Sequence, residues 1–302
     1  MIKVITTIRE AVETINDIKK SGLSVGFVPT MGYFHDGHIE LMKRSIKECG
    51  ETFVSIFVNP IQFAPGEDLA RYPRDLERDK TMAASAGVKY LFCPGVSEMY
   101  PEGFQTRISA GPLASDFCGA SRPGHFDGVC TVVAKLFNII TPDRAYFGMK
   151  DYQQLVVIEK MTEDLNMKVK IVRCETVREK DGLAMSSRNS YLSPEERKAA
   201  PALKIALEKL ELEIIEARAS DFKGFDIEKA LESHKAFLTG SGFKGVDYLK
   251  VASADTLAEA RNAGDLRSVD RVFIAAAAFI GRTRLIDNAV FDLDKKKVNG
   301  HE

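Results

Sequence analysis

The sequence predicts an α/β protein, a doubly wound parallel sheet followed by a second, smaller α+β domain, and three observations carry that prediction. Short β-branched apolar runs alternate with longer amphipathic segments through the first half of the chain, the pattern left by parallel strands joined through crossover helices. Beyond residue 192 the order changes to long helical segments followed by strands. The stretch 179–192 between them has no apolar period of either kind, so the boundary is set near Thr176. The expected organisation is a Rossmann-like domain at 1–176, a smaller C-terminal domain at 177–293 and a solvated tail at 294–302, where Lys295, Lys296 and Lys297 precede Asn299 and Gly300.

Ile8, Val12, Ile15 and Ile18 recur at spacings of four and three and define a first helix with one apolar face. Strands are expected at 24–28, 52–58, 88–93, 144–147 and 169–174. Val129, Val132, Val133, Leu136, Phe137 and Ile140 mark a second helix that lies on the sheet. In the C-terminal part, Ser193-Pro194-Glu195-Glu196 combines an N-cap, a proline at the first helical position and acids beside the positive helix end. One helix is expected from there to about residue 215. Glycines 240, 242 and 245 lead into a strand at 246–251, and two further strands, 271–280 and 283–291, flank a tight Gly281-Arg282 turn.

Composition narrows the function. The 302 residues carry 42 Lys and Arg against 43 Asp and Glu, a net charge of −1. With no basic run anywhere, nucleic acid is excluded as a default partner. The longest clean apolar run, 272–280, is far short of the roughly 20 residues that cross a membrane as a helix, and reads as a buried strand. The N-terminus carries Arg9, Glu10 and Glu13 and shows no secretory signal. Five scattered cysteines without a C-x-x-C pair argue against a disulfide framework or zinc ribbon and for a cytoplasmic location.

The most informative stretch follows the first strand expected above: Pro29-Thr30-Met31-Gly32-Tyr33-Phe34-His35-Asp36-Gly37-His38, then a helical run through Ile39, Leu41, Met42 and Ile46. Ligands of open α/β sheets bind at the carboxyl ends of strands, and a helix opening there offers amide N–H groups and positive potential to an anion. Small residues let a phosphate approach the backbone. A zinc reading of His35 and His38 lacks the i, i+4 spacing and a third ligand, and a surface turn with incidental histidines is the plain alternative. Phosphate binding is the favoured reading. Lys150, after the strand at 144–147, is placed to neutralise phosphate or carboxylate oxygens. Met185-Ser186-Ser187-Arg188 suits a mobile clamp on polyphosphate or, in the plainer reading, a serine-rich linker. Asn59, Gln62 and Gln154 are amides able to orient a small polar substrate, though each is also a common cap or turn residue.

His35-x-Gly37-His38 after a strand resembles the H-x-G-H signature of the nucleotidyltransferase superfamily that includes class I aminoacyl-tRNA synthetases. The longer P-T-M-G-x-x-H-x-G-H string is similar to that of the pantoate-β-alanine ligase family. So are Phe57-Val58-Asn59-Pro60-Ile61-Gln62-Phe63, Tyr72-Pro73-Arg74, Ser121-Arg122-Pro123-Gly124-His125-Phe126, Gly148-Met149-Lys150-Asp151-Tyr152-Gln153-Gln154 and Met185-Ser186-Ser187-Arg188-Asn189. The resemblance is dense over 25–192 and loose beyond.

It implies an enzyme that condenses pantoate with β-alanine through a pantoyl adenylate, using ATP and Mg²⁺ and releasing AMP and pyrophosphate. His35, His38, Lys150, Ser186, Ser187 and Arg188 would be catalytic, with His38 at the position described as a proton donor. Thr30, Met31, Gly32, Tyr33, Phe34, His35, Asp36, Gly37, His38, Gly148, Met149, Lys150, Asp151, Val177 and 185–188 would surround ATP. Gln62, Gln154, Asn59, Tyr72 and Arg122 would serve pantoate and β-alanine. Asp75 and Asp79 lie near the phosphates with no assigned role. A homodimer is also implied, with a C-terminal lid. Met149 stands where the family usually has Glu, which predicts a local change in packing or hydration around the nucleotide. Two alternatives stay open: an adenylyltransferase of the same superfamily acting on a phosphate-bearing substrate, and a nucleotide-sensing module without turnover.

Overall fold

A computed structural model describes residues 2–293; the expected tail at 294–302 lies outside the described residues. By contacts the described chain forms two compact units, one of residues 2–177 with Met185–Ser187, the other of Arg178–Ala184 with residues 188–293. The chain therefore passes between the units at 177/178, 184/185 and 187/188.

In the first unit, strands β1 (Lys3–Ile5), β2 (Val25–Thr30), β3 (Glu51–Ile56), β4 (Tyr90–Phe92), β5 (Arg144–Gly148) and β6 (Lys170–Cys174) form one sheet in the order β1-β4-β3-β2-β5-β6. Every pairing is parallel. The crossovers are supplied by α1 (Ile8–Lys20), α2 (Asp36–Glu48), α3 (Leu76–Ala86) with the short α4 (Val96–Met99) and α5 (Cys118–Ser121), then α6 (His125–Ile140) and α7 (Tyr152–Asp164). The Rossmann-like α/β class expected from the alternating pattern is the fold observed. Five strands fall within one or two residues of expectation. The sixth, β1, was missed, because a three-residue edge strand is too short to carry a period.

The apolar faces explain the layering. Ala11, Ile15 and Ile18 are the buried residues of α1. Helix α6 is buried almost all round, as befits a helix covered on more than one side. On the other face of the sheet, Val28, Phe34, Met42, Val54, Leu91, Tyr146 and Val172 pack into one cluster with Ala83 of α3.

The second unit holds α8 (Pro194–Ala199), α9 (Ala202–Ala219), α10 (Ile227–Gly240), β7 (Gly245–Ser253), α11 (Ala263–Arg267), β8 (Arg271–Ile280) and β9 (Thr283–Asp292), the strands forming an antiparallel sheet β7-β8-β9. Its core joins Leu203, Leu207, Leu210 and Ile214 of α9 to Val272, Ile274, Ala276 and Ala278 of β8. The β8–β9 hairpin turns on Gly281 at φ 57°, a left-handed position that suits glycine and matches the strand twist. The single helix expected from Ser193 is two helices. Its start is as read, with Ser193 and Glu196 closing a capping box, but Pro201 has no N–H to give the carbonyl of Arg197, and the helix breaks there. All five cysteines are free. Among the described residues no helix is long and apolar enough to cross a membrane.

Candidate active site

The strand order reverses direction between β2 and β5, and that switch point is where an open α/β sheet receives its ligand. β2 ends at Thr30 and β5 at Gly148. The loops leaving these two ends carry the histidine motif and Lys150.

The first loop is built tightly. Thr30 Oγ1 donates to the Ser55 carbonyl at 2.6 Å and accepts from the Gly32 amide at 3.1 Å. Gly32 lies at φ 83°, and a Cβ there would meet Ile56 at 2.9 Å and Asp79 at 3.0 Å. Tyr33 is also left-handed, at φ 53°. What holds this strained turn is Asp79 on α3, whose carboxylate accepts from the Tyr33 and Phe34 amides, both at 2.7 Å. Asp79 is 1% exposed, and burial raises its pKa despite those bonds. Arg78 stacks its guanidinium on Tyr33, 5.0 Å from the ring centre. Sequence could mark Asp79 only as an acid without a role; only the packing of α3 against the loop reveals a brace. Asp79→Ala leaves one part-buried and one buried amide without acceptors and is expected to lower stability by about 1–3 kcal/mol, read as a fall in the urea midpoint at unchanged m-value.

Phe34 is fully buried and anchors the loop ahead of α2. His35 is the N-cap of α2, and its amide donates to Nδ1 of His38 at 3.3 Å. His38 Nδ1 is thereby an acceptor, so the neutral ring carries its proton on Nε2. The two rings lie 4.1 Å apart. His35 Nδ1 is buried with no hydrogen-bond partner, and its ring packs over Gly37, where a Cβ would come within 2.9 Å. Burial, with Lys150 second, lowers the His35 pKa to about 4. Burial, then His35, then Lys150 push His38 well below its ordinary value. Both rings are neutral at neutral pH, and the field of Lys150 reaches both. Asp36 opens α2 and is exposed.

On the second loop, Met149, Lys150 and Asp151 make one 3-10 turn after Gly148, leading into α7. Lys150 keeps 18% of its side-chain surface and lies 3.9 Å from the Asp151 carboxylate. Gln154 is half-buried on the first turn of α7. Its neighbour Gln153 has a scaffolding role, bonding the Cys118 amide and the Leu113 and Asp116 carbonyls.

The amides after β3 are buried together. Asn59 is 1% exposed and Gln62 8%; Asn59 Nδ2 donates to Gln62 Oε1 at 3.0 Å and to the Gly128 carbonyl at 3.1 Å. Gln62 Nε2 faces the sulfur of Met31 at 3.3 Å. A side chain at residue 128 would strike the backbone of Ile61 and Gln62, so a glycine there allows α6 to approach. Tyr72 is buried with its ring edge on Phe63.

Arg122 makes a bidentate pair with Glu67, both bonds 2.7 Å. It also donates to His125 Nε2 at 2.9 Å, while His125 Nδ1 donates to the Gln62 carbonyl at 2.8 Å. Burial and Arg122 lower the His125 pKa to about 4, which keeps the ring neutral in this chain of bonds. Arg122 and His125 thus converge on the backbone of Gln62.

Met185 donates its amide to the Val177 carbonyl at 3.0 Å, and Ser187 Oγ donates to the Tyr33 carbonyl at 3.3 Å. Ser186 lies between them, half-buried. Arg188 belongs to the second unit. That unit anchors the flanks of this segment: Asn189 Nδ2 bonds Glu179 and the Ala184 carbonyl, Arg197 pairs with Asp181 at 2.6 Å, and Arg178 pairs with Asp287 at 2.6 Å. Of the site residues expected from the sequence, all but Arg188 belong to the first unit. Among the described residues no group of three or more His, Cys, Asp or Glu is able to hold a metal ion.

A parallel sheet whose switch point carries a histidine pair, a lysine and a hydroxyl segment defines an α/β enzyme of the H-x-G-H type. Comparison with known proteins makes the assignment specific. The family model described as pantoate-beta-alanine ligase matches residues 3–290. The chain is 51% identical over 290 residues to the pantothenate synthetase of Caldicellulosiruptor bescii, covering 96% of this chain and 99% of that one. It is 48% identical to that of Moorella thermoacetica, with coverage of 91% and 94%. Among solved structures, pantothenate synthetase from Thermus thermophilus superposes with a TM-score of 0.82 at 45% identity, covering 97% of this chain and 99% of that one. Pantoate-beta-alanine ligase from Francisella tularensis, complexed with beta-gamma ATP and beta-alanine, gives 0.77 at 33% identity, covering 98% and 99%. The chain belongs to the pantoate-beta-alanine ligase family.

Proposed function

We propose that the chain joins pantoate to β-alanine in two steps, with ATP as the activating substrate. In the first, a pantoate carboxylate oxygen attacks the α-phosphorus of ATP; the bond to the β-phosphate oxygen breaks, pyrophosphate leaves and pantoyl adenylate forms. In the second, the β-alanine amine attacks the acyl carbon, the bond to AMP breaks, and the amine proton is lost to solvent. The observation that supports this most is that the loops leaving the adjacent strand ends β2 and β5, on the two sides of the switch point, carry His35 and His38 on one and Lys150 on the other. One cation and two neutral N–H donors are suited to charge that builds on phosphate oxygens. In the Francisella relative, the bound nucleotide and β-alanine support the same substrates here.

In this reading His35 and the Nε2–H of His38 donate to phosphate oxygens, and Lys150, Ser186, Ser187 and Arg188 hold the triphosphate. Thr30–Gly37, 148–151, Val177 and Met185 surround the nucleotide, with Gln62, Gln154, Asn59, Tyr72 and Arg122 on the pantoate and β-alanine side. Mg²⁺ enters as part of the ATP complex, since both oxygens of Asp79 accept backbone bonds and no protein cage is present among the described residues. The lid role expected for the part 177–293 belongs to the same reading and falls to its second-unit segments, 178–184 and 188–293, since Val177 and 185–187 group with the first unit. The homodimer and cytoplasmic location belong to the same reading.

The test is isotope exchange between pyrophosphate and ATP without β-alanine. Exchange that requires pantoate is the expected result, and AMP should accumulate only when β-alanine is added. Exchange supported by a phosphate-bearing acceptor instead of pantoate would replace this reading with the phosphate-directed transferase.

A further inference from the structure

The two buried amides have a polarity that the surrounding structure determines. The Gly128 carbonyl can only accept, so the Asn59 atom that faces it at 3.1 Å is the nitrogen. The other N–H of that nitrogen is directed at Gln62, so the Gln62 atom at 3.0 Å is the carbonyl oxygen. Asn59 Oδ1 is left for a donor, and Tyr100 supplies it: its hydroxyl lies 2.8 Å away. Burial holds the Tyr100 pKa above its ordinary value, so the phenol keeps the proton it donates. At the far end, the Gln62 NH₂ faces the sulfur of Met31, a weak acceptor that a substrate oxygen outcompetes.

Tyr100 is itself set in place. It directly follows α4, with its amide on the Val96 carbonyl at 2.7 Å. Its ring lies against Phe57 at 5.9 Å and Phe104 at 5.0 Å, and the Lys135 ammonium sits over Phe104 at 5.0 Å.

We propose that Tyr100 is a positioning residue for the ligase reaction, holding Asn59 so that Gln62 presents its two N–H donors, and not its oxygen, to an acceptor oxygen of the pantoate molecule. This rests on the reading of Gln62 as a pantoate residue. The relay selects a substrate oxygen with a lone pair at that point and disfavours a donor such as an amine. Without the tyrosine hydroxyl, Asn59 Oδ1 is buried without a partner, and the amide pair is held from the Gly128 end alone.

The experiment is a double-mutant cycle on the full-length enzyme. Tyr100→Phe is expected to raise KM for pantoate roughly 3–10-fold, the range of one net hydrogen bond, with kcat and KM for ATP changed less than about 2-fold. In a Gln62→Ala background the same change should add nothing to KM for pantoate, which a general loosening of the fold would not reproduce. Asn59→Asp, which has no N–H for Gln62, should raise KM for pantoate at least as much and likewise add nothing in the Gln62→Ala background, where loss of a direct Asn59 contact to substrate would still show; it carries the test if Tyr100→Phe does not fold. An unchanged KM in Tyr100→Phe, or an undiminished increment in the Gln62→Ala background, overturns the relay alone. An unchanged KM in Gln62→Ala itself overturns the pantoate reading of Gln62, and the relay falls with it.

Discussion

Replacing Lys150 by alanine is expected to lower the rate of pantoate-dependent pyrophosphate release by about two to three powers of ten, the usual loss when one transition-state contact is removed. The reasoning begins with charge. Pantoate and ATP are both anions, and the first step collects further negative charge on the phosphates as the pyrophosphate bond breaks. The histidines cannot supply the opposing charge, because burial keeps both neutral in the free protein. Lys150 sits on the loop that follows β5 and keeps only 18% of its side-chain surface exposed. Its ammonium acts where water is partly excluded, and the attraction is correspondingly stronger. His38→Ala is expected to fall in the same range through loss of the Nε2–H donor. Near wild-type turnover in both variants, with their melting temperatures unchanged, would remove these two residues from the chemistry.

Acid should destabilise the first unit through its histidines as the pH falls below about 6.5. In the folded chain the His35 and His125 pKa values are lowered to about 4 and His38 lies well below its ordinary value. In the unfolded chain all three titrate near their free value of about 6.5. Between those limits the unfolded state binds protons that the folded state refuses, so stability falls as pH drops from about 6.5 toward about 4. Below about 4, His35 and His125 are protonated in both states and their contribution levels off. The loss is on the order of 3 kcal/mol for His125 and less for the partly exposed His35. Urea unfolding at half-unit steps between pH 7 and 4.5 measures it. A flat profile over that interval would mean that the rings accept protons within the fold. His125→Gln should shallow the slope.

The two predictions depend on information of different kinds. Lys150, His35 and His38 could be picked out by eye, because a His-x-Gly-His pattern and a lysine each follow an apolar run, and strand ends are where such sheets bind ligands. The neutrality of the histidines could not be read that way. Desolvation depends on what covers a ring, and the cover comes from residues far apart in the chain. The brace on the motif is likewise remote: Asp79 stands more than forty positions after Tyr33 and Phe34, with no periodic signal to connect them. Arg122 and His125 were legible as members of the Ser121–Phe126 string, but their joint hold on the Gln62 carbonyl was not. The stretch at 179–192 lacked any apolar period because polar contacts made by Glu179, Asp181, Asn189 and Arg197 organise it.

By itself the sequence determined the alternation of strand and helix, the Rossmann-like class, the position of the histidine motif at a strand end and the family to which those motifs point. Each of these is local, carried by a period of two or 3.6 residues or by a string of adjacent side chains. The net charge of −1 said nothing of the anion site, since a pocket needs only a few donors brought together. The tertiary structure decided the strand order that places β2 beside β5, the protonation of His35, His38 and His125, and the direction in which Asn59 and Gln62 turn their amides. All three depend on distances between residues remote in sequence, and such distances exist only once the chain has packed.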